Sequence, residues 1–137
     1  MHVPQVYWPA VIVSGIVIFA IGGLWYSPML FAKPWVRLMN KTEEELKAAA
    51  PGPLPFVIVF IAALLIALVL AMIENHFKPL TATRGALLGV LCWLGFAAPT
   101  SFGTATFSGT PKAVWAINSG YNLVSFVVAG VILAVWH

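Results

Sequence analysis

Hydrophobic residues run without a charged interruption through four stretches, Pro9–Tyr26, Leu54–Ile73, Gly85–Phe102 and Trp115–Trp136, and the charged positions collect between them. A bilayer's hydrocarbon core is about 30 Å thick, and a helix rising about 1.5 Å per residue crosses it in about 20 residues. Each stretch is long enough to span, the longer two with a little tilt. The pattern predicts an all-α fold: an integral membrane bundle of four transmembrane helices forming a single domain over residues 1–137.

The connection between the first two stretches has a pattern of its own. Ser27-Pro28 reads as a helix cap followed by proline in a first turn, where its missing N–H costs nothing. Phe31, Trp35, Leu38 and Met39 fall on one face at helical spacing, and Lys33, Arg37 and Lys41 fall on another. This predicts a short amphipathic helix in the membrane interface, its basic stripe toward anionic headgroups. Thr42 followed by Glu45 forms a capping box for a further turn or two, and Pro51, Pro53 and Pro55 stop that helix and launch the second span.

Composition supports the membrane placement. Apolar residues make up 61% of the chain and charged residues 8%, against roughly 25% charged in soluble domains. Lipid must therefore cover part of the surface. The pI near 9.3 reflects basic residues in loops and implies no nucleic-acid partner. The first and third loops hold Lys33, Arg37, Lys41, Lys47 and Lys112, whereas the other side has Lys78 and Arg84. Five against two predicts the first and third loops inside and both termini outside. Cys92 is the one cysteine, so no intramolecular disulfide can form. Met1–Trp8 lacks the basic start of a secretory signal, so the first span is expected to be retained.

Helices in lipid associate through close packing of small residues and through hydrogen bonds. Ala63, Ala67 and Ala71 form such a stripe on the second span. Gly85 and Gly89 form a pair on the third, and Gly15, Gly22 and Gly23 thin the first. On the last span Asn118 and Asn122 share a face that Ser125 continues. An amide in hydrocarbon is costly unless paired, so this face is expected to meet other helices. Trp25, Tyr26 and Ser27 of the first span lie at the same depth, as do Pro99, Thr100 and Ser101 of the third. A polar cluster among spans one, three and four follows, serving as helix glue or as a small-ligand pocket.

The run Leu24-Trp25-Tyr26-Ser27-Pro28 with Phe31, Lys33 and Trp35, the Thr-Glu-Glu segment after it, and Ile117-Asn118-Ser119-Gly120-Tyr121 leading to Gly130 and Trp136 resemble an uncharacterised bacterial family. Its members are short four-span membrane proteins with a Trp-Tyr-Ser-Pro signature, classed only as a domain of unknown function. The resemblance implies a multi-pass protein of the bacterial inner membrane and transfers no catalytic residue. Its familiar residues coincide with the polar cluster, which makes Trp25, Tyr26, Ser27, Asn118, Tyr121 and Asn122 the candidate binding or packing site.

The chain carries no catalytic or nucleotide motif, so neither enzymatic activity nor a cofactor is expected. The leading expectation is a structural or accessory protein acting as a homo-oligomer or as a subunit of a larger membrane complex. The alternative is a small-solute carrier or channel assembled from several copies. A third reading places a metal or enzymatic site on the outer face, where His2, His76, His137 and Glu74 gather, although their spacing fits no metal motif. Glu74 is expected at the membrane edge, hydrated at the end of its helix.

Overall fold

A computed structural model describes residues 6–27, 30, 32–39, 44–45, 48, 52–77 and 81–136. The protein is an all-α membrane bundle: four of its helices are long and apolar enough to cross a bilayer. Helix α1 (Trp8–Trp25) is the first span and α2 (Ala32–Met39) follows it. Helix α3 (Leu54–Asn75) is the second span. The third comprises α4 (Ala82–Cys92), a π-turn (Trp93–Ala97) and α5 (Ala98–Ser108), and α6 (Lys112–Val135) is the fourth. The family of prolines placed before the second span acts as expected in part: Pro53 is its N-cap and Pro55 lies in its first turn, whereas Pro51 lies outside the described residues.

The third span runs further than its apolar residues indicate, from Ala82 through Ser108 rather than Gly85 to Phe102. Its polar continuation stays helical because the hydroxyls turn onto the helix's own carbonyls. Thr104 donates to Thr100 O at 3.1 Å and Thr106 to Phe102 O at 2.8 Å. A hydroxyl satisfied in this way no longer needs water. Thr81 caps the start by accepting from the Arg84 N–H. At the end Gly109 takes φ 71°, a left-handed conformation that glycine adopts without steric penalty, and Thr110 N–H bonds to Ala105 O.

Pro99 explains the π-turn. A proline cannot donate to the carbonyl four residues back, and its ring crowds that carbonyl. The helix widens just before it, and Ala98 N–H reaches five residues back to Trp93 O. The third span is packed closely on the fourth in its first half and much less closely in its second.

The fourth span is the centre of the bundle and touches the other three. Its most extensive contact is with α4, where the backbones themselves meet. A Cβ on Gly85 would collide with the Gly130 carbonyl oxygen, and one on Gly89 with the Phe126 carbonyl oxygen. First and second spans pack next most extensively, with Gly15 seated against Leu64. Ala63, Ala67 and Ala71 are all buried, joined in the core by Ala10, Val11, Ile18, Leu70 and Ala129. The small-residue stripes are packing surfaces except at Gly23, which meets nothing within 4 Å.

Helix α2 has the amphipathic faces read from its spacing. Trp35, Leu38 and Met39 are half-buried, Lys33 and Arg37 are exposed, and Trp35 stands edge-on to Tyr26 with ring centroids 5.9 Å apart. Phe31, Lys41 and Thr42 lie outside the described residues, as does Pro28 of the proposed cap. Glu44 and Glu45 are helical and exposed.

The glycine crossing yields a stability prediction. Gly89→Ala adds one methyl against rigid backbone, and overpacking of this kind costs about 1–3 kcal/mol. Gly23→Ala meets nothing within 4 Å and removes a glycine from a helix interior, a change worth up to about 1 kcal/mol in favour of the helix. Thermal unfolding in detergent is expected to show a clear loss for Gly89→Ala and none for Gly23→Ala.

Candidate functional site

At the α2 end of the bundle, indole and phenol groups are carried into a region where water is scarce, so each N–H or O–H needs a partner within the protein. The fourth span supplies most of them. Trp25 Nε1 donates to Ile117 O at 2.9 Å, and Tyr26 Oη donates to Asn118 Oδ1 at 2.6 Å. In the opposite direction Tyr121 Oη donates to Ile18 O at 2.9 Å. The two phenol rings meet edge to face with centroids 5.8 Å apart. The Trp25 and Tyr121 bonds reach backbone carbonyls already engaged in helices, using their second lone pair, and the Tyr26 bond ends on a side-chain amide oxygen.

Two glycines make this exchange possible. A Cβ on Gly22 would lie 2.9 Å from Tyr121 Oη, and one on Gly120 would lie 3.1 Å from the Trp25 ring. Tyr121 reaches the Ile18 carbonyl only because the next turn of the first span carries no side chain at Gly22. The edge of the Trp25 indole approaches Gly120 for the same reason.

A second set of bonds joins the third span to the fourth. Trp93 Nε1 donates to Ser119 O at 3.0 Å and lies 3.2 Å from Ser119 Oγ. Trp115 Nε1 donates to Ser101 Oγ at 3.0 Å, and Ser101 passes its own proton to Ala97 O at 2.7 Å. Phe102 stands edge-on to Trp115 at 5.0 Å. The polar groups are therefore two seams on two sides of the fourth span rather than one cluster. Of the third-span residues expected there, Ser101 joins. Thr100 instead donates to Phe96 O of its own helix, and Pro99 is exposed.

Among the sequence-derived site residues, Trp25, Tyr26, Asn118 and Tyr121 lie together in the first seam. Ser27 closes the end of the first span, its Oγ donating to Leu24 O at 2.6 Å. Asn122 is half-buried one turn beyond Asn118 and makes no hydrogen bond among the described residues. Sequence reasoning did not single out Trp93 and Trp115, although a tryptophan in an apolar span signals by itself that a buried N–H needs an acceptor.

Glu74 departs from its expected place. Its side chain is 2% exposed, and its Oε1 lies 3.4 Å from where a Gly130 Cβ would be. It turns into the bundle between the second and fourth spans instead of standing hydrated at the membrane edge, because Gly130 leaves room for it. His76 is exposed, and His2 and His137 lie outside the described residues. Among the described residues no three metal-ligating side chains come together, and Glu74 is buried where His76 is exposed.

The family model for a protein of unknown function (DUF1761) matches residues 9–134. That range takes in all four spans and both seams, and the chain belongs to this family. No curated protein and no solved structure matches it.

The Tyr26–Asn118 bond can be weighed directly. Interhelical hydrogen bonds in membranes average about 0.6 kcal/mol in double-mutant cycles. Tyr26→Phe and Asn118→Leu are each expected to lower stability modestly, and the double variant to lose less than the sum. Strictly additive losses in reversible unfolding would show that the two side chains do not act together.

Proposed function

We propose that this DUF1761 protein is a non-enzymatic accessory protein of the bacterial inner membrane, acting as a homo-oligomer or as a subunit of a larger membrane complex. The observation that carries the reading is a contrast among glycines. Gly15, Gly22, Gly85, Gly89, Gly120 and Gly130 each have a neighbouring helix where a side chain would be. Gly95 and Gly103, eight residues apart on the third span, have nothing within 4 Å. With Pro99 midway they make a smooth strip on the outside of the bundle.

A glycine inside a helix costs about 1 kcal/mol relative to alanine, and facing lipid it gains nothing in return. Facing another helix it permits close approach, which is the main source of helix association in membranes. The seams favour the same reading: their indole and phenol donors are engaged in holding helices together. Charge distribution further supports placing α2 on the cytoplasmic side and both termini outside.

Two measurements test this. Gly95→Leu with Gly103→Leu is expected to hold or raise the monomer's unfolding temperature and to shift the species extracted in mild detergent to a smaller assembly by native mass spectrometry. The same assembly in variant and parent would overturn the glycine-strip reading. A single identical chain in the larger species means a homo-oligomer, and a second chain means a complex. For orientation, in a Cys92→Ser background, His76→Cys is expected to react with impermeant maleimide in intact cells and Glu44→Cys to be shielded; the reverse pattern would invert the topology.

A further inference from the structure

Asn118 and Asn122 stand between two cavities. One, of about 690 Å³, lies between the second half of the third span and the start of the fourth. The other, of about 660 Å³, lies between the first span, the beginning of the second and the fourth. Both amides border both cavities. Either volume falls in the range of small-molecule sites, about 300–1,000 Å³. The first lies along α5, which packs on the fourth span far less extensively than α4 does.

The lining restricts what can occupy them. Among the described residues no charged side chain borders either cavity, so an ionised group would be desolvated without a counter-charge. Aromatic rings form much of the walls: Phe96 and Trp115 on one side, Phe19, Phe56 and Tyr26 on the other. The polar groups are neutral. Thr100 and Thr104 use their protons on backbone carbonyls and retain acceptor lone pairs. Asn118 Oδ1 is taken by Tyr26, which leaves its NH₂ group.

Asn122 is the decisive residue. It lies ten residues into the fourth span from Lys112, about 15 Å along the axis at about 1.5 Å per residue, close to the bilayer midplane. Its amide makes no hydrogen bond among the described residues, and two N–H donors and a carbonyl at that depth need a partner. The groups that match are carbonyl or hydroxyl oxygens on an otherwise apolar molecule.

We propose that the two cavities form one binding site for an uncharged, lipid-soluble molecule whose polar end carries carbonyl or hydroxyl oxygens. The Asn122 and Asn118 amides hold the polar end, and the aromatic walls hold the apolar body. Neutral glycerolipids and quinones share this chemistry. The site is independent of the oligomer reading, because Gly95 and Gly103 border neither cavity.

The test uses the full chain in phosphatidylcholine nanodiscs, with dioleoylglycerol, a decyl-substituted benzoquinone and anionic phosphatidylglycerol as probes, read by native mass spectrometry and equilibrium titration. At least one neutral probe is expected to saturate at one molecule per chain, and which one does so identifies the source. Asn122→Leu is expected to weaken that binding at least tenfold with an unchanged unfolding temperature. Thr104→Trp, which fills the first cavity from an exposed position, is expected to do the same and decides the matter if Asn122→Leu does not fold. Saturation by neither neutral probe, equal binding of phosphatidylglycerol, or unchanged affinity in the folded variants would overturn the proposal.

Discussion

The backbone-to-backbone approach of the third and fourth spans at Gly85, Gly89 and Gly130 is the constraint on which the bundle rests. Lipid tails offer no hydrophobic drive between helices, so helices that come together do so by contact area and hydrogen bonding. Glycines on both partners let the two axes approach more closely than side chains would permit. That crossing fixes the fourth span beside α4, and the other two spans arrange themselves around it. The glycine contact itself grips the first half of the third span. Past the π-turn and Pro99 the third span meets the fourth mainly through Trp115, which bonds Ser101 and stands against Phe102, and the first cavity lies along this looser half.

The seams on either side of the fourth span solve a different problem. Tryptophan and tyrosine bring large apolar surfaces that suit a bilayer and single polar atoms that do not. Each of Trp25, Tyr26, Trp93, Trp115 and Tyr121 donates across a helix boundary. Because several acceptors are main-chain carbonyls, the bonds depend on helix position more than on the acceptor's side chain. The glycines at 22 and 120 then matter for access rather than for close helix approach.

The four spans were legible because uninterrupted apolar length is a strong signal and lipid leaves few alternatives to helix. The short amphipathic helix was legible from spacing alone. The reach of the third span was not, because Thr104 and Thr106 read as polar until their hydroxyls are seen to fold back on the helix. Glu74 was misplaced for a related reason: hydropathy assigns a carboxylate to the membrane edge, and only the gap at Gly130, distant in sequence, provides room inside. Spacing also failed to distinguish glycines that pack within the bundle from those that face outward. Gly22 meets the Tyr121 side chain while Gly23, read with it as part of one packing stripe, meets nothing, because adjacent helix positions point about 100° apart.

The inward position of Glu74 has a consequence for how the chain is made. The second span leaves the ribosome well before the fourth, and the fourth carries Gly130, against which the carboxyl comes to lie. Until that last segment is threaded in, the side of the acid's enclosure that Gly130 forms is missing. The final helix to be synthesised is thus also the one that completes the surroundings of a carboxyl made two spans earlier.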